Sequence, residues 1–332
     1  MRCKKLTVIT EAGREVGFGH LTRTIAIASR FKLFNYDINF IINGDKSIDN
    51  FLIHYKFELL NWLEKDLSFK LKNSDLILLD SMLISNKQIK EIEKIDIPLI
   101  YIDDEKQRDV LEKGFIIDWT ILREENNSFS FKKDVIYLLG SKFTPLRKEF
   151  KNLQQNIIKP EIESVLVTFG GSDIRNITPK IVMFLSEYFP KIKKNIIIGG
   201  GFTNLRDIEQ VSDKNTTLFK NINASAMLQL MQKSDLAIAS GGQTLYELAT
   251  VGLPSISILV VDNAYEDTIG WDKVGVIKYL SKWDDKELLS KLHQIMQKLQ
   301  SKNFRLKMQE NSQNFIAKDG AYYLVKTILE RL

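Results

Sequence analysis

Short runs of β-branched and aliphatic residues alternate with segments of helical apolar spacing along almost the whole chain. This alternation constrains the fold more than any other feature. Leu6 to Thr10, Asp37 to Ile42, Leu76 to Asp80, Leu99 to Asp103, Gly114 to Ile117 and Val135 to Tyr137 read as strands. Between them His20 to Phe34, Ser47 to His54 and Asn86 to Ile95 read as helices. The pattern then restarts. Strands are expected at Ser164 to Thr168, Lys194 to Ile198, Thr217 to Phe219, Leu236 to Ala239 and Ser255 to Leu259. Helices are expected at Thr178 to Tyr188, Ala224 to Lys233, Thr244 to Val251, Lys286 to Ser301 and Phe304 to Ile316. Such alternation means parallel sheets flanked by helices. Two runs in 332 residues imply an α/β chain of two doubly wound, Rossmann-like domains facing each other across a cleft. The expected division is 1–155 and 160–316, joined near the polar stretch Gln154 to Pro160, with a C-terminal helix over 317–332. A cleft of this kind is the default ligand site.

Composition removes several function classes. Lysine plus arginine number 47 against 42 acids, a net charge of +5, and the two signs are interspersed. A nucleic-acid binder concentrates its charge on one face or stripe, so no nucleic-acid partner is expected. The single cysteine, Cys3, excludes an internal disulfide and a cysteine-based zinc site. His20, His54 and His293 are far apart and form no H-E-x-x-H pair, so neither a metal nor a cofactor is expected. Apolar stretches such as Ile256 to Val261 fall far short of the roughly 18–20 residues of a membrane span. The basic start leads into a strand and a glycine loop rather than a signal peptide, which gives a cytoplasmic expectation with no integral membrane association.

Three glycine turns follow strands. The first runs from Gly13 through Gly17, Phe18, Gly19 and His20 to Arg23 and opens a helix, where free amides and the helix dipole favour an anion. It lacks the third glycine of the dinucleotide fingerprint. His20, at the carboxyl edge of the first sheet, is either a general acid or base or a residue that merely caps and packs. The second turn is Ser240-Gly241-Gly242-Gln243-Thr244, with Glu247 one turn into the helix that follows. Its amides can cradle a phosphate, and Glu247 can accept hydrogen bonds from ribose hydroxyls. The third, Phe169-Gly170-Gly171-Ser172-Asp173, either faces ligand or caps the next helix. Asp80 and the pair Asp103-Asp104 end first-domain strands, where ligand-facing polar groups belong. Gly199 to Gly201 reads as a turn with no helix start close behind it. His54 reads as structural and His293 as solvated. The chain holds no G-x-S-x-G elbow and no P-loop.

The segment Gly17-Phe18-Gly19-His20-Leu21-x-Arg23, the Phe169 to Asp173 turn and the block from Met227 to Pro254 together carry a resemblance. The chain resembles the UDP-2,4-diacetamido-2,4,6-trideoxy-β-L-altropyranose hydrolases of pseudaminic acid biosynthesis, relatives of the MurG-type glycosyltransferases. The resemblance implies a GT-B fold, a UDP-sugar substrate held between the domains, and UDP gripped mainly by the second. It places on His20 the role of activating water at the anomeric carbon, without a metal. Arg23 then either helps hold the diphosphate or braces the loop, and Asp80, Asp103, Asp262 and Asn263 fall among the substrate-facing positions.

The chain departs from the family's pattern at Ser81-Met82, at Asp118-Trp119-Thr120, at Ala264 after Asp262-Asn263, and in its longer end, Lys286 to Leu332. These departures lie on the sugar side, so the nucleotide-sugar reading is firmer than the sugar's identity. Two alternatives share the same grip. One is a glycosyltransferase, for which Phe31, Phe34, Tyr36 and nearby lysines offer an acceptor patch; the other is a non-catalytic nucleotide-sugar-binding partner subunit. The oligomeric state stays open, with a monomer slightly favoured.

Overall fold

The computed structural model describes residues 2–13, 16–103, 110–125, 131–151, 153–317 and 319–332; Arg14, Glu15 and Asp104 lie outside them. The chain divides into two units, Met1–Lys148 with Asp319–Leu332, and Glu149–Lys318.

The first unit begins with β1 (Lys4–Ala12), α1 (Gly19–Phe31), β2 (Tyr36–Gly44), β3 (Lys56–Leu59), α2 (Ser68–Leu71) and β4 (Leu76–Asp80). It continues through α3 (Asn86–Glu93), β5 (Leu99–Ile102), β6 (Gly114–Asp118) and β7 (Val135–Leu139). Among the described residues these strands form one seven-stranded sheet, ordered β3-β2-β1-β4-β5-β6-β7, and every pairing is parallel. Central strands of such a sheet are covered on both faces, which is why β4 reads Leu-Ile-Leu-Leu-Asp and is buried throughout. Strand order reverses between β1 and β4, so the chain leaves those two strands towards opposite faces. Their following loops part at the carboxyl edge, where such sheets take ligands.

Helix α1 packs Leu21, Thr24, Ile27, Ala28 and Phe31 inward at three- and four-residue intervals. Phe31 meets Tyr36 edge-on, and both are buried. Of the expected aromatic acceptor patch only Phe34 reaches the surface, stacked on Tyr322. The expected helix over Ser47 to His54 is a 3-10 turn at Lys46–Phe51, capped by Asp45 and followed by the edge strand β3. His54 is exposed rather than structural, and its backbone carbonyl accepts from Lys32 Nζ.

The second unit starts with β8 (Ser164–Thr168), α4 (Thr178–Tyr188), β9 (Lys193–Ile198), α5 (Leu205–Val211), β10 (Thr216–Lys220) and α6 (Ala224–Lys233). It continues with β11 (Leu236–Ser240), α7 (Gln243–Val251), β12 (Ser255–Leu259), α8 (Tyr265–Lys273), β13 (Ile277–Lys282), α9 (Leu288–Leu299) and α10 (Lys302–Ser312). Its parallel sheet runs β10-β9-β8-β11-β12-β13, and the order reverses between β8 and β11. Val165, Val167, Ile196, Ile238, Ile256 and Ile258 fill one core with Leu292 and Met296 of α9.

Two expectations change in this unit. Gly199 to Gly201 does turn, but α5 starts soon after it, at Leu205. His293 is half-buried against the rings of Phe184, Tyr188 and Phe189, because α9 packs on the end of α4. The polar stretch expected to link the domains lies on this unit. Asn156 N donates to Val251 O, and the buried Arg305 donates to Pro160 O at 2.8 Å.

The chain ends in α11 (Gly320–Leu329), which belongs to the first unit. Asp319 caps it by accepting from Tyr322 N and pairs with Arg30 of α1 at 3.0 Å. Leu324, Val325 and Ile328 are fully buried, each worth about 1.5–3 kcal/mol of transfer free energy. A Cβ on Gly320 would stand 2.3 Å from Thr144 O, so the helix starts where only glycine fits.

Candidate functional site

In the first unit the loop leaving β1 is pinched shut at its base. Gly13 and Gly17 exchange backbone hydrogen bonds of 3.0 and 2.8 Å, and Gly17 has φ +82°, which favours glycine. Phe18 then stacks on Phe51 with ring centres 5.0 Å apart. Helix α1 starts at Gly19 with neither a side-chain cap nor an acid in its first turn. Its first amides therefore have no partner within the helix, and the space beside the Gly19 Cα is open.

One turn of α1 brings His20 and Arg23 to the same face, and β4 delivers Asp80 to meet them. In the sheet Thr10 lies opposite Asp80, so the ends of β1 and β4 are level. His20 Nδ1 lies 2.8 Å from Asp80 Oδ1; Arg23 Nε donates to Oδ2 at 2.7 Å and Nη2 to Oδ1 at 2.7 Å. The guanidinium carbon of Arg23 sits 5.0 Å from the ring centre of the buried Trp119, just past β6. Asp80 is fully buried. Burial opposes its ionisation, but the charges and hydrogen bonds of Arg23 and His20 outweigh burial and hold its carboxyl well below the ordinary carboxylate range. Arg23 Nη2 also lies 3.1 Å from His20 Nδ1. In the tautomer that donates from Nδ1 to the Asp80 carboxylate, the lone pair is left on Nε2.

The loop after β4 is held by a residue that sequence reasoning missed. The Glu11 carboxylate, buried at the end of β1, accepts from Ser81 Oγ at 2.5 Å and from Met82 N at 2.7 Å. Ser81 Oγ in turn accepts from Leu83 N and Ile84 N. The one available signal was an acid inside a buried strand. Asp103 follows β5 at the same sheet edge and is buried, with its backbone N donating to Ile117 O. Asp118 ends β6 in a buried ion pair with Arg123.

In the second unit the turns after β8 and β11 flank the point where strand order reverses. Ser240 is buried at the end of β11. A Cβ on Gly241 would lie 2.5 Å from Thr268 Oγ1 and 2.8 Å from the Ala264 Cβ, so no side chain fits there. Thr268 is fully buried, and its hydroxyl has no hydrogen-bond partner among the described residues. Gly242, at φ +92°, precedes α7 with no side-chain cap and open space around it. Gln243 and Thr244 form the half-buried first turn, and Glu247 lies one turn on, 4% exposed. Uncapped helix amides and small residues of this kind can accept an anion.

Gly170, at φ +74°, and Gly171 are also open on the side a Cβ would occupy, and Ser172 is half-buried beside them. Asp173 accepts from Ile177 N, from Thr178 N at the start of α4 and from Asn204 Nδ2. Asp262 and Asn263 are exposed after β12. Lys282, 2.7 Å from Asp262, holds that carboxyl below its usual value. The structure therefore joins His20, Arg23 and Asp80 in one cluster, and Ser240, Gly241, Gly242, Gln243, Thr244 and Glu247 around the start of α7.

No protein-family model matches the chain. It is similar, at 26% identity over 76% of its length, to an uncharacterized protein of Methanocaldococcus jannaschii, of which it covers 55%. It is 25% identical over 80% of its length to a Helicobacter pylori protein named pseudaminic acid cytidylyltransferase and UDP-2,4-diacetamido-2,4,6-trideoxy-beta-L-altropyranose hydrolase, of which it covers 46%. The chain thus spans about half the length of these two curated relatives. The spore coat polysaccharide biosynthesis protein SpsG of Bacillus subtilis is 22% identical over 77% of both chains. Among solved structures, MurG of Acinetobacter baumannii superposes with a TM-score of 0.69, at 12% identity and over 98% of this chain and 99% of that one. MnaA of S. aureus, in a co-structure with UDP, does so at 0.67, with 12% identity over 99% and 96%. The chain has the GT-B fold.

Proposed function

We propose that the chain hydrolyses a UDP-sugar to UDP and a free 2,4-diacetamido-2,4,6-trideoxyhexose. The observation that carries this reading is the His20–Asp80 pair, 2.8 Å apart at the mouth of an uncapped helix. In the step proposed, a water oxygen forms a bond to the anomeric carbon. The bond from that carbon to the β-phosphate oxygen breaks, and UDP leaves with the electron pair. His20 Nε2 takes the water proton and passes it to solvent. Asp80 keeps the ring in the required tautomer and balances its transient charge. The second unit supplies the grip on UDP: amides at Gly241 to Thr244 for the diphosphate, Gly170 to Ser172 beside them, and Glu247 for the ribose. The sugar is the one named for the Helicobacter pylori relative, and the resemblance read in the motifs supports it.

A transferase would use the same base on an acceptor hydroxyl, and the fold shared with MurG favours that second reading. The two separate in one experiment. Purified protein is incubated with a panel of UDP-amino sugars without acceptor, and UDP and free sugar are followed by NMR. Release of both, with one substrate preferred, establishes hydrolysis. Tight UDP binding without release moves the reading to a transferase.

A further inference from the structure

Arg23 follows His20 by one helical turn, and the motif alone allows it to be a diphosphate ligand or a brace. Its Nε and Nη2 form a side-on pair with the two oxygens of Asp80, both at 2.7 Å, and the Trp119 ring covers its face. The Nε–Nη2 edge of the guanidinium is thus turned to a carboxylate, and only 11% of the side chain is exposed. Asp80 Oδ1 receives both Arg23 Nη2 and His20 Nδ1, at 2.7 and 2.8 Å, so one oxygen couples the arginine to the histidine.

We propose that Arg23 is a positioning residue for the proton transfer at His20 and not a ligand of the diphosphate. This rests on the reading of His20 as the base. Asp80 is fully buried, and without Arg23 it would be a carboxylate with no cation at its side. Burial then favours the protonated acid, which no longer accepts from Nδ1 and no longer fixes the tautomer with its lone pair on Nε2. The Trp119 ring, its centre 5.0 Å from the guanidinium carbon, packs beside the pair.

The test compares R23Q, R23K, D80N and the R23Q/D80N double variant in the full chain. Three readouts are taken: kcat and KM on the UDP-sugar turned over, UDP affinity by calorimetry, and the His20 tautomer by nitrogen-15 NMR. Loss of Arg23 is expected to leave UDP affinity and KM unchanged and to lower kcat about a hundredfold. Lysine should not rescue, since it cannot form the side-on pair. The double variant should be no slower than the slower single, as expected for residues acting through one ion pair. The His20 Nδ1–H signal should be lost in R23Q. A tenfold loss of UDP affinity with kcat retained, multiplicative losses in the double variant, or an unaltered His20 signal overturns the proposal. Where R23Q fails to fold, R23K carries the same comparisons. If the unmodified protein hydrolyses no UDP-sugar, the base reading falls, while UDP affinity and the histidine signal still decide Arg23.

Discussion

The carboxylate of Asp80 and the imidazole of His20 stand 2.8 Å apart across sixty residues of chain, one at the end of β4 and the other in the first turn of α1, beside the point where the first sheet reverses its order. One is fully buried and the other keeps 12% of its side chain exposed, so the acid sets the ring from behind and the ring meets solvent in front.

Replacing His20 by asparagine should lower turnover of a UDP-sugar by about 10²–10⁴-fold, the usual worth of a positioned base. UDP affinity, measured by calorimetry, should stay the same. Parallel loss of turnover and UDP affinity would make His20 part of the binding surface instead.

Asp80 links the cluster to stability through pH. Its folded carboxyl lies below its unfolded value, held there by Arg23 and His20 against burial. The resulting stabilisation is fully present above the unfolded value of about 3.9 and is lost as pH falls through the folded one. Removing one partner of a buried pair costs about 3–5 kcal/mol, so Asp80→Asn should destabilise by that order near neutrality. Urea unfolding of both proteins should show a constant gap at neutral pH and a narrowing one in acid. A gap that widens in acid would contradict the assignment.

Glu247, 4% exposed one turn into α7, is expected to accept hydrogen bonds from the ribose. Glu247→Ala should weaken UDP by about 1–3 kcal/mol, the cost of leaving donors unmet. Unchanged UDP affinity in calorimetry would remove that role.

Two glycines should respond in opposite ways. Gly241→Ala forces a methyl onto Thr268 and Ala264, an overpacking worth about 1–3 kcal/mol that should lower the thermal midpoint. Gly19→Ala meets nothing within 4 Å at the start of a helix, so it should leave stability unchanged or raise it by about 0.4–1 kcal/mol. If the open space there is substrate's, the same change should raise KM. Unaltered kinetics in Gly19→Ala would place the substrate elsewhere.

Much of this fold was legible because a buried parallel strand announces itself locally. Leu76 to Asp80 and Ser164 to Thr168 are continuous apolar runs ending in polar residues, and their bounds match the strands found. Two edge strands, β3 and β13, lack that signature. Lys56 to Leu59 is exposed at three of four positions, and Ile277 to Lys282 is buried at only two of six. Neither reads as a strand until a neighbour supplies its hydrogen bonds. The histidines divide on the same principle: sequence spacing gave no sign that α9 would press His293 against three rings of α4 and its end.

By itself the sequence determined the two runs of strand and helix, the glycine turns that end their strands, and the residue types able to grip an anion or move a proton. Those are local matters of apolar period, backbone freedom and side-chain chemistry. Only the tertiary structure decided which of these residues meet. Strand order set β1 beside β4, and the register of that pair brought Asp80 level with Thr10 and within reach of His20 and Arg23. The same closure sent α11 back to the first unit through Arg30 and Asp319, and gave Glu11 the loop after β4 to hold. Contacts between distant segments depend on how the sheets close, and no local pattern carries that information.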